Sequence, residues 1–297
     1  MRKIVTHKSC DIDAISSVWL LKRFYPNWDS AEIEFVNAGE KLPGVYEYLG
    51  EPIEIVDGIE TIHVDTGLGA LDHHQTSDMN TCGAKKTLDF ILAEPLSGIH
   101  KHEIKKEAVG RIVELVIDDD HFQEVYYPEP NQDIYEFGIV SIIQGYKLLY
   151  QKDDLKLCGF IFECLDSVLQ NFEKKIWAER EIKEKGVEFE SKWGKSLAIE
   201  TINDEVLKTA QMMGFVLTVR KDTNGGFVRI KALPDKRGSK SLNIDLTGVY
   251  EKLKSMDPIA TWFLHASKRM LLNGSTKNPE MKGTTLTLEQ VVEVLRG

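Results

Sequence analysis

A strand–loop–helix unit at the front of the chain constrains the fold most. Lys3-Ile4-Val5-Thr6 is a short apolar run suited to a buried strand. Asp13-Ala14-Ile15-Ser16-Ser17-Val18-Trp19-Leu20-Leu21 follows with helical spacing, so the strand feeds a helix through a polar loop. Further strands are expected at 32–37 and 61–65, and helices near 84–93, 105–117 and 134–150. Strands alternating with helices predict an α/β fold built on a parallel sheet with helices on both faces.

The 297 residues suggest about two domains. At 42% hydrophobic and 28% charged, with apolar runs spread throughout, the chain has the make-up of a folded protein rather than a disordered or fibrous one. No apolar run approaches the roughly 18 residues of a membrane span. The start reaches polar residues by His7-Lys8, leaving no room for a signal-peptide apolar region, so a cytoplasmic location is expected. Cys10, Cys82, Cys158 and Cys164 form no CxxC pair, which argues for reduced thiols and against a disulfide framework or structural zinc.

From about Phe160 to Trp193 apolar positions recur in a charged, proline-free stretch that reads as a helical connector. Beyond it, 215–220 and 227–233 flank Asn224-Gly225-Gly226 and predict a β-hairpin. The expected organisation is a metal-binding domain at 1–160, a connector at 161–194 and a smaller α/β domain at 195–297. Residues 220–297 carry 14 Lys+Arg and 8 Asp+Glu, net +6; since the whole chain is −10, the remainder is −16. An acidic front and a basic tail suit metal binding followed by anion binding.

The chemistry concentrates in two places. In Thr6-His7-Lys8-Ser9-Cys10-Asp11-Ile12-Asp13, an imidazole is followed at i+4 and i+6 by carboxylates, at the carboxyl end of a predicted strand where ligand crevices of open α/β sheets form. A second strand ends in Val64-Asp65-Thr66-Gly67, and Leu71-Asp72-His73-His74-Gln75 follows closely. Carboxylates mixed with imidazoles suit Mn²⁺-type ions better than pure Mg²⁺ or Ca²⁺ chemistry.

Taken together and in this order, the HxxxDxD and DHH motifs resemble the DHH phosphoesterase superfamily over residues 4–122. That superfamily includes manganese-dependent pyrophosphatases, oligonucleotide and cyclic-dinucleotide phosphodiesterases, and single-strand exonucleases. The resemblance implies that His7 and Asp11 hold one metal, that Asp13 and His73 hold the other, and that Asp65 bridges them. It implies that Asp72 orients a neighbouring imidazole and that His74 contacts the phosphate and assists the leaving group. A fourth motif, an aspartate after an apolar run, falls in Val116-Ile117-Asp118-Asp119-Asp120-His121; Asp118 is the expected ligand and Asp119 its substitute. His63, His100, His102 and His121 lie outside the motifs and are read as structural.

Superfamily members commonly carry a C-terminal domain with a Gly-rich, His-containing segment, and this chain has no clear run of that kind. In its place stand His265, Ser267, Lys268 and Arg269, able to set an imidazole, a hydroxyl and cations against phosphate oxygens, with Arg237, Lys236 and Lys240 as further anion-binding candidates. The expected function is hydrolysis of a phosphodiester or phosphoanhydride bond with two divalent ions, Mn²⁺ first and Mg²⁺ or Co²⁺ as alternatives. The substrate would be a phosphorylated small molecule or a short single-stranded oligonucleotide. Pyrophosphate hydrolysis, or a non-catalytic metal-bound regulatory role, is the alternative. The net charge of −10 argues against stable duplex binding, because that affinity comes largely from cations neutralising phosphates.

Overall fold

Ile4 and Val5 are fully buried, and the strand that carries them, β1 (Arg2–His7), is the second of five in its sheet. The structure, a computed structural model, describes residues 1–151, 153–236, 242–274, 278 and 280–297. It divides into two units, Met1–Glu173 and Lys174–Gly297.

In the first unit β1 leads into α1 (Ile12–Phe24), then β2 (Glu32–Val36), β3 (Tyr46–Gly50), β4 (Ile53–Val56) and β5 (Ile59–His63). Helices α2 (Gly83–Ala93), α3 (Glu103–Asp120) and α4 (Ile139–Leu149) follow, and α5 (Asp154–Lys185) starts in this unit and ends in the second. The sheet order is β2-β1-β5-β4-β3. β1 runs parallel to β2 and β5, whereas β5, β4 and β3 form an antiparallel meander. The sheet is therefore mixed, which corrects the all-parallel expectation. Short links such as Asp57-Gly58 leave room only for tight turns between neighbouring strands, and tight turns produce antiparallel pairs.

α1 is apolar nearly all round and almost wholly buried: Ala14, Ile15, Val18, Trp19, Leu20 and Leu21 have no exposed surface. Each of the buried Ile, Val and Leu side chains contributes about 1.5–3 kcal/mol by leaving water. The buried Trp19 indole donates to Asp166 Oδ1 of α5 at 2.8 Å, and the Arg23 guanidinium reaches both oxygens of the same carboxylate. α5 starts at Asp154, whose carboxylate accepts the Ser9 and Cys10 N–H groups at 3.1 and 3.3 Å. The loop between β1 and α1 is thus held from a helix whose Asp154 lies 145 positions from Ser9 in sequence.

α5 ends at Lys185, and residues 187–191 then form a strand, so the helical stretch stops short of the position expected from the sequence. The second unit contains β6 (Val187–Ser191), β7 (Gly194–Glu200), α6 (Glu205–Met212), β8 (Leu217–Lys221), β9 (Val228–Ala232), α7 (Thr247–Met256), β10 (Trp262–Leu264), β11 (Met270–Asn273) and α8 (Leu288–Arg296). Its sheet runs β10-β11-β9-β8-β7-β6, and among the described residues only β7 and β8 pair in parallel. Leu217, Val219, Ile230, Leu246, Leu253, Leu271, Val291 and Leu295 make its core. Among the described residues no helix is long and apolar enough to cross a membrane.

Candidate metal centre

The site lies at the carboxyl ends of β1 and β5. His7 is the last residue of β1, and Asp11 caps α1 by accepting the Ala14 N–H at 3.0 Å. Asp13, in the first turn of α1, reaches across to α2: its oxygens accept the Gly83 and Ala84 N–H groups, each at 2.7 Å. It caps a helix whose own N-cap residue, Cys82, makes no side-chain cap bond. A glycine is needed at 83 because a Cβ there would lie 2.8 Å from Asp65 Cβ and 3.0 Å from Asp13 Oδ2.

Asp65 follows β5 with φ +50, a left-handed conformation unusual for a side-chain-bearing residue. Its N–H bonds the Leu71 carbonyl at 3.0 Å, which fixes this conformation. One carboxylate oxygen, Oδ2, lies 3.2 Å from His7 Nε2, and the other, Oδ1, lies 3.5 Å from His73 Nε2. His7 Nε2 is also 3.6 Å from Asp11, while His73 Nε2 is 3.6 Å from Asp13 and 3.5 Å from Asp120. Two ligand groups therefore form, His7–Asp11–Asp65 and another around His73, with one oxygen of Asp65 turned toward each.

The buried, fully shielded Asp72 accepts the Leu68 and His74 N–H groups at 2.7 and 3.1 Å and holds His74 Nδ1 at 2.7 Å. That contact directs an Nδ1–H of His74 at Asp72 and leaves Nε2 as the nitrogen for a ligand.

Of the three consecutive aspartates at the end of α3, the structure brings Asp120 to His73. Asp118, the residue expected from the sequence, instead accepts the Tyr127 hydroxyl at 3.1 Å. Asp119 lines the adjoining cavity of about 230 Å³ with Asp11, Asp13, Asp120 and Lys147. The cause is helix geometry: successive side chains turn about 100° apart, so Asp120 meets His73, Asp119 faces the adjoining cavity and Asp118 turns to Tyr127. His121 also belongs here, although the motifs left it out. Its ring stands edge-on to His73 with centroids 6.2 Å apart, its Nε2 is 2.9 Å from the Thr81 carbonyl, and it groups with His73 and Asp120. Its position directly after the aspartate run was the available signal. His63, by contrast, is a structural residue: it pairs with Glu54 at 2.9 Å and accepts the Leu42 N–H at 3.0 Å.

Electrostatics follow from this crowding. Burial opposes charge on His7, but the Asp65 contact and the charge of Asp11 outweigh it and push the imidazole up to about 9. His73 is also pushed up to about 9, chiefly by Asp65, with Asp120 and Asp13 adding to it against burial. Burial works against ionisation of Asp65, yet the two imidazoles hold its carboxyl below the usual range. Asp13 is pushed well above that range by burial and by Asp65, and Asp120 is raised by burial, with Asp65 opposing the relief from His73. Burial and the charges of Glu124 and Asp11 push Asp119 up to about 6.

Whether the residues suit a metal can be judged from their unmet bonding. Asp65 Oδ1, His73 Nε2 and Asp120 Oδ2 are buried without a hydrogen-bond partner, and leaving such atoms unsatisfied is costly. All three converge on the same space, and a cation would satisfy them together while inverting the local pKa logic. The donor set fits divalent ions of intermediate hardness.

In the second unit, residues 265–269 form the turn between β10 and β11. His265 Nδ1 accepts the Ser267 N–H at 3.1 Å and lies 2.8 Å from its hydroxyl. Lys268 pairs with Asp245 at 3.0 Å, and Arg269 forks onto both oxygens of Asp235 at 2.7 Å and donates to the Leu233 carbonyl. Both cations expected to meet phosphate thus have carboxylate partners within their own unit. Lys236 is exposed, while Arg237 and Lys240 lie outside the described residues.

No known family model matches the sequence, and no curated protein matches it. Among solved structures, similarity extends to an uncharacterized protein of Helicobacter pylori, with TM-score 0.26, 13% identity and both chains covered over 100%. A DHH domain described as a member of a family of ribosomal proteins gives TM-score 0.30 and 12% identity, over 99% of this chain and 85% of that one. A Methanococcus jannaschii protein described as a family II inorganic pyrophosphatase gives TM-score 0.21 and 14% identity, over 100% of this chain and 98% of that one. Similarity this low leaves the function to be read from the side chains.

Proposed function

We propose that this chain is a two-metal phosphoesterase that hydrolyses a phosphodiester or phosphoanhydride bond, with Mn²⁺ as the preferred ion. One observation carries the reading: the two oxygens of Asp65 face two separate ligand groups, as a bridging carboxylate must. His7 and Asp11 would hold one ion, and Asp13, His73 and Asp120 the other. A divalent pair supplies Lewis-acid charge for the transferring phosphoryl group and makes water more acidic. The protein's own part is positioning. Asp13 fixes α2 against the site and Asp72 sets the His74 ring, so that His74, with both ring nitrogens protonated, would hold Asp72 through Nδ1 and give the Nε2 proton to the departing oxygen. Lys147, tied to the Ser9 carbonyl at 2.9 Å, adds a cation to the rim of the acidic cavity.

The partners of Lys268 and Arg269 favour selection of the substrate within the first unit, which keeps pyrophosphate hydrolysis as a second reading. The test is turnover of pyrophosphate, cyclic dinucleotides, dinucleotides and short single strands by one Mn²⁺-loaded preparation. The expected result is turnover of a phosphodiester or anhydride that chelation abolishes. A folded, metal-loaded protein inert on the whole panel would overturn the reading in favour of a non-catalytic role.

A further inference from the structure

Beside the acidic cavity lies a second, largely apolar one of about 360 Å³, within the size range of small-molecule sites. The two share Ile12, Asp119, Val140 and Gln144 as walls, so a ligand in one borders the other. Tyr127 and Tyr135 stand in its lining with ring centroids 6.0 Å apart and planes 44° apart, an arrangement with aromatic faces and edges for a flat guest. Among the polar groups in the wall, Glu124 Oε2 is buried and accepts no hydrogen bond. A buried acceptor without a donor is costly in the empty pocket and rewards a guest that brings N–H groups.

We propose that this pocket binds the base of a nucleotide substrate, with Glu124 accepting from ring and exocyclic N–H groups. Guanine fits best because it offers two adjacent donors to the two oxygens of one carboxylate. Asp119, Tyr127, Tyr135, Ser141 and Gln144 are the other polar groups at the pocket. The inference rests on the phosphoesterase reading for the phosphate end of the ligand and deepens it: a site with a base pocket is built for nucleotides rather than for pyrophosphate.

The experiment uses the full chain, wild type, Glu124→Gln and Ser141→Trp, with folding checked by circular dichroism. Glu124→Gln turns an acceptor pair into one acceptor and a donor, and Ser141→Trp fills the pocket. Binding of guanosine monophosphate to metal-free protein is followed by calorimetry, and kcat/KM with Mn²⁺ is measured for a guanylyl dinucleotide and for pyrophosphate. Both variants should bind guanosine monophosphate about tenfold more weakly, and the ratio of dinucleotide to pyrophosphate kcat/KM should fall by about as much. If Ser141→Trp does not fold, Glu124→Gln with its shape preserved decides the matter. Unchanged binding and an unchanged ratio overturn the base pocket while leaving a metal-dependent hydrolase standing. Loss of guanosine monophosphate binding in the variants, in a protein that hydrolyses nothing, keeps the pocket and removes the phosphoesterase reading.

Discussion

At the scale of single residues, the site depends on where a few carboxylates point. The sequence distinguishes His7, Asp11, Asp13, Asp65 and His73 because each follows a strand or opens a helix, and the structure gathers them. It could not choose among Asp118, Asp119 and Asp120, since three identical side chains at a helix end carry no sign of which azimuth faces inward. In the structure Asp120 is the one that approaches His73, at 3.5 Å. Asp120→Ala should therefore cost the protein one bound ion, and Asp118→Ala should leave metal content intact, as measured by elemental analysis after dialysis. Loss of an ion from Asp118→Ala alone would return the ligand to the position expected from the motif.

At the scale of elements, apolar runs made β1, β5 and the hairpin of β8 and β9 legible. The strands β3 and β4 were not, because Tyr46-Glu47-Tyr48 and Ile53-Glu54-Ile55 are short runs each broken by a glutamate, and β4, next to the edge strand of the sheet, is only partly buried. The same limits hid the turn between β10 and β11, whose cations looked free because their partners Asp235 and Asp245 are 23 or more positions away. One carboxylate shows how such long-range ties hold an element. Asp257, at the end of α7, accepts from the Thr284 hydroxyl at 2.6 Å and from the Thr285 and Ala260 N–H groups at 3.1 and 3.2 Å. The Thr284 bond first, and those N–H groups with it, hold its carboxyl below the usual range against the effect of burial. A depressed folded pKa means that this stabilisation is complete above the unfolded value of about 3.9 and is lost as pH falls through the lower folded value. Asp257→Ala should destabilise the second unit by about 2 kcal/mol at neutral pH, and the gap from wild type should shrink below about pH 4. Urea unfolding at both pH values checks this; a gap that stays constant into acid would mean that the charge contributes nothing.

At the scale of the whole molecule, all the proposed ligands belong to the first unit, so metal binding should stabilise that unit selectively. An ion held at about 100 times its Kd adds about 2.7 kcal/mol to the state that binds it. Hydrogen exchange with and without Mn²⁺ should show added protection in the loop between β1 and α1, around Asp65–His74 and at the start of α2, and none in β8 and β9. Uniform protection across both units would place the ions elsewhere. The charge split along the sequence, net −16 before residue 220 and +6 after it, was readable in advance and agrees with an acidic cation site in the first unit. It did not reveal that Lys268 and Arg269 are paired, because net charge does not show which charges meet. The central claim is that Asp65 links two ions, and electron paramagnetic resonance of the Mn²⁺-loaded protein tests it most directly. Wild type should bind two ions per chain with the spectrum of an exchange-coupled pair, and Asp65→Asn should lose the coupling while circular dichroism shows the fold intact. A single uncoupled Mn²⁺ in the wild type, or coupling that survives in Asp65→Asn, would contradict it.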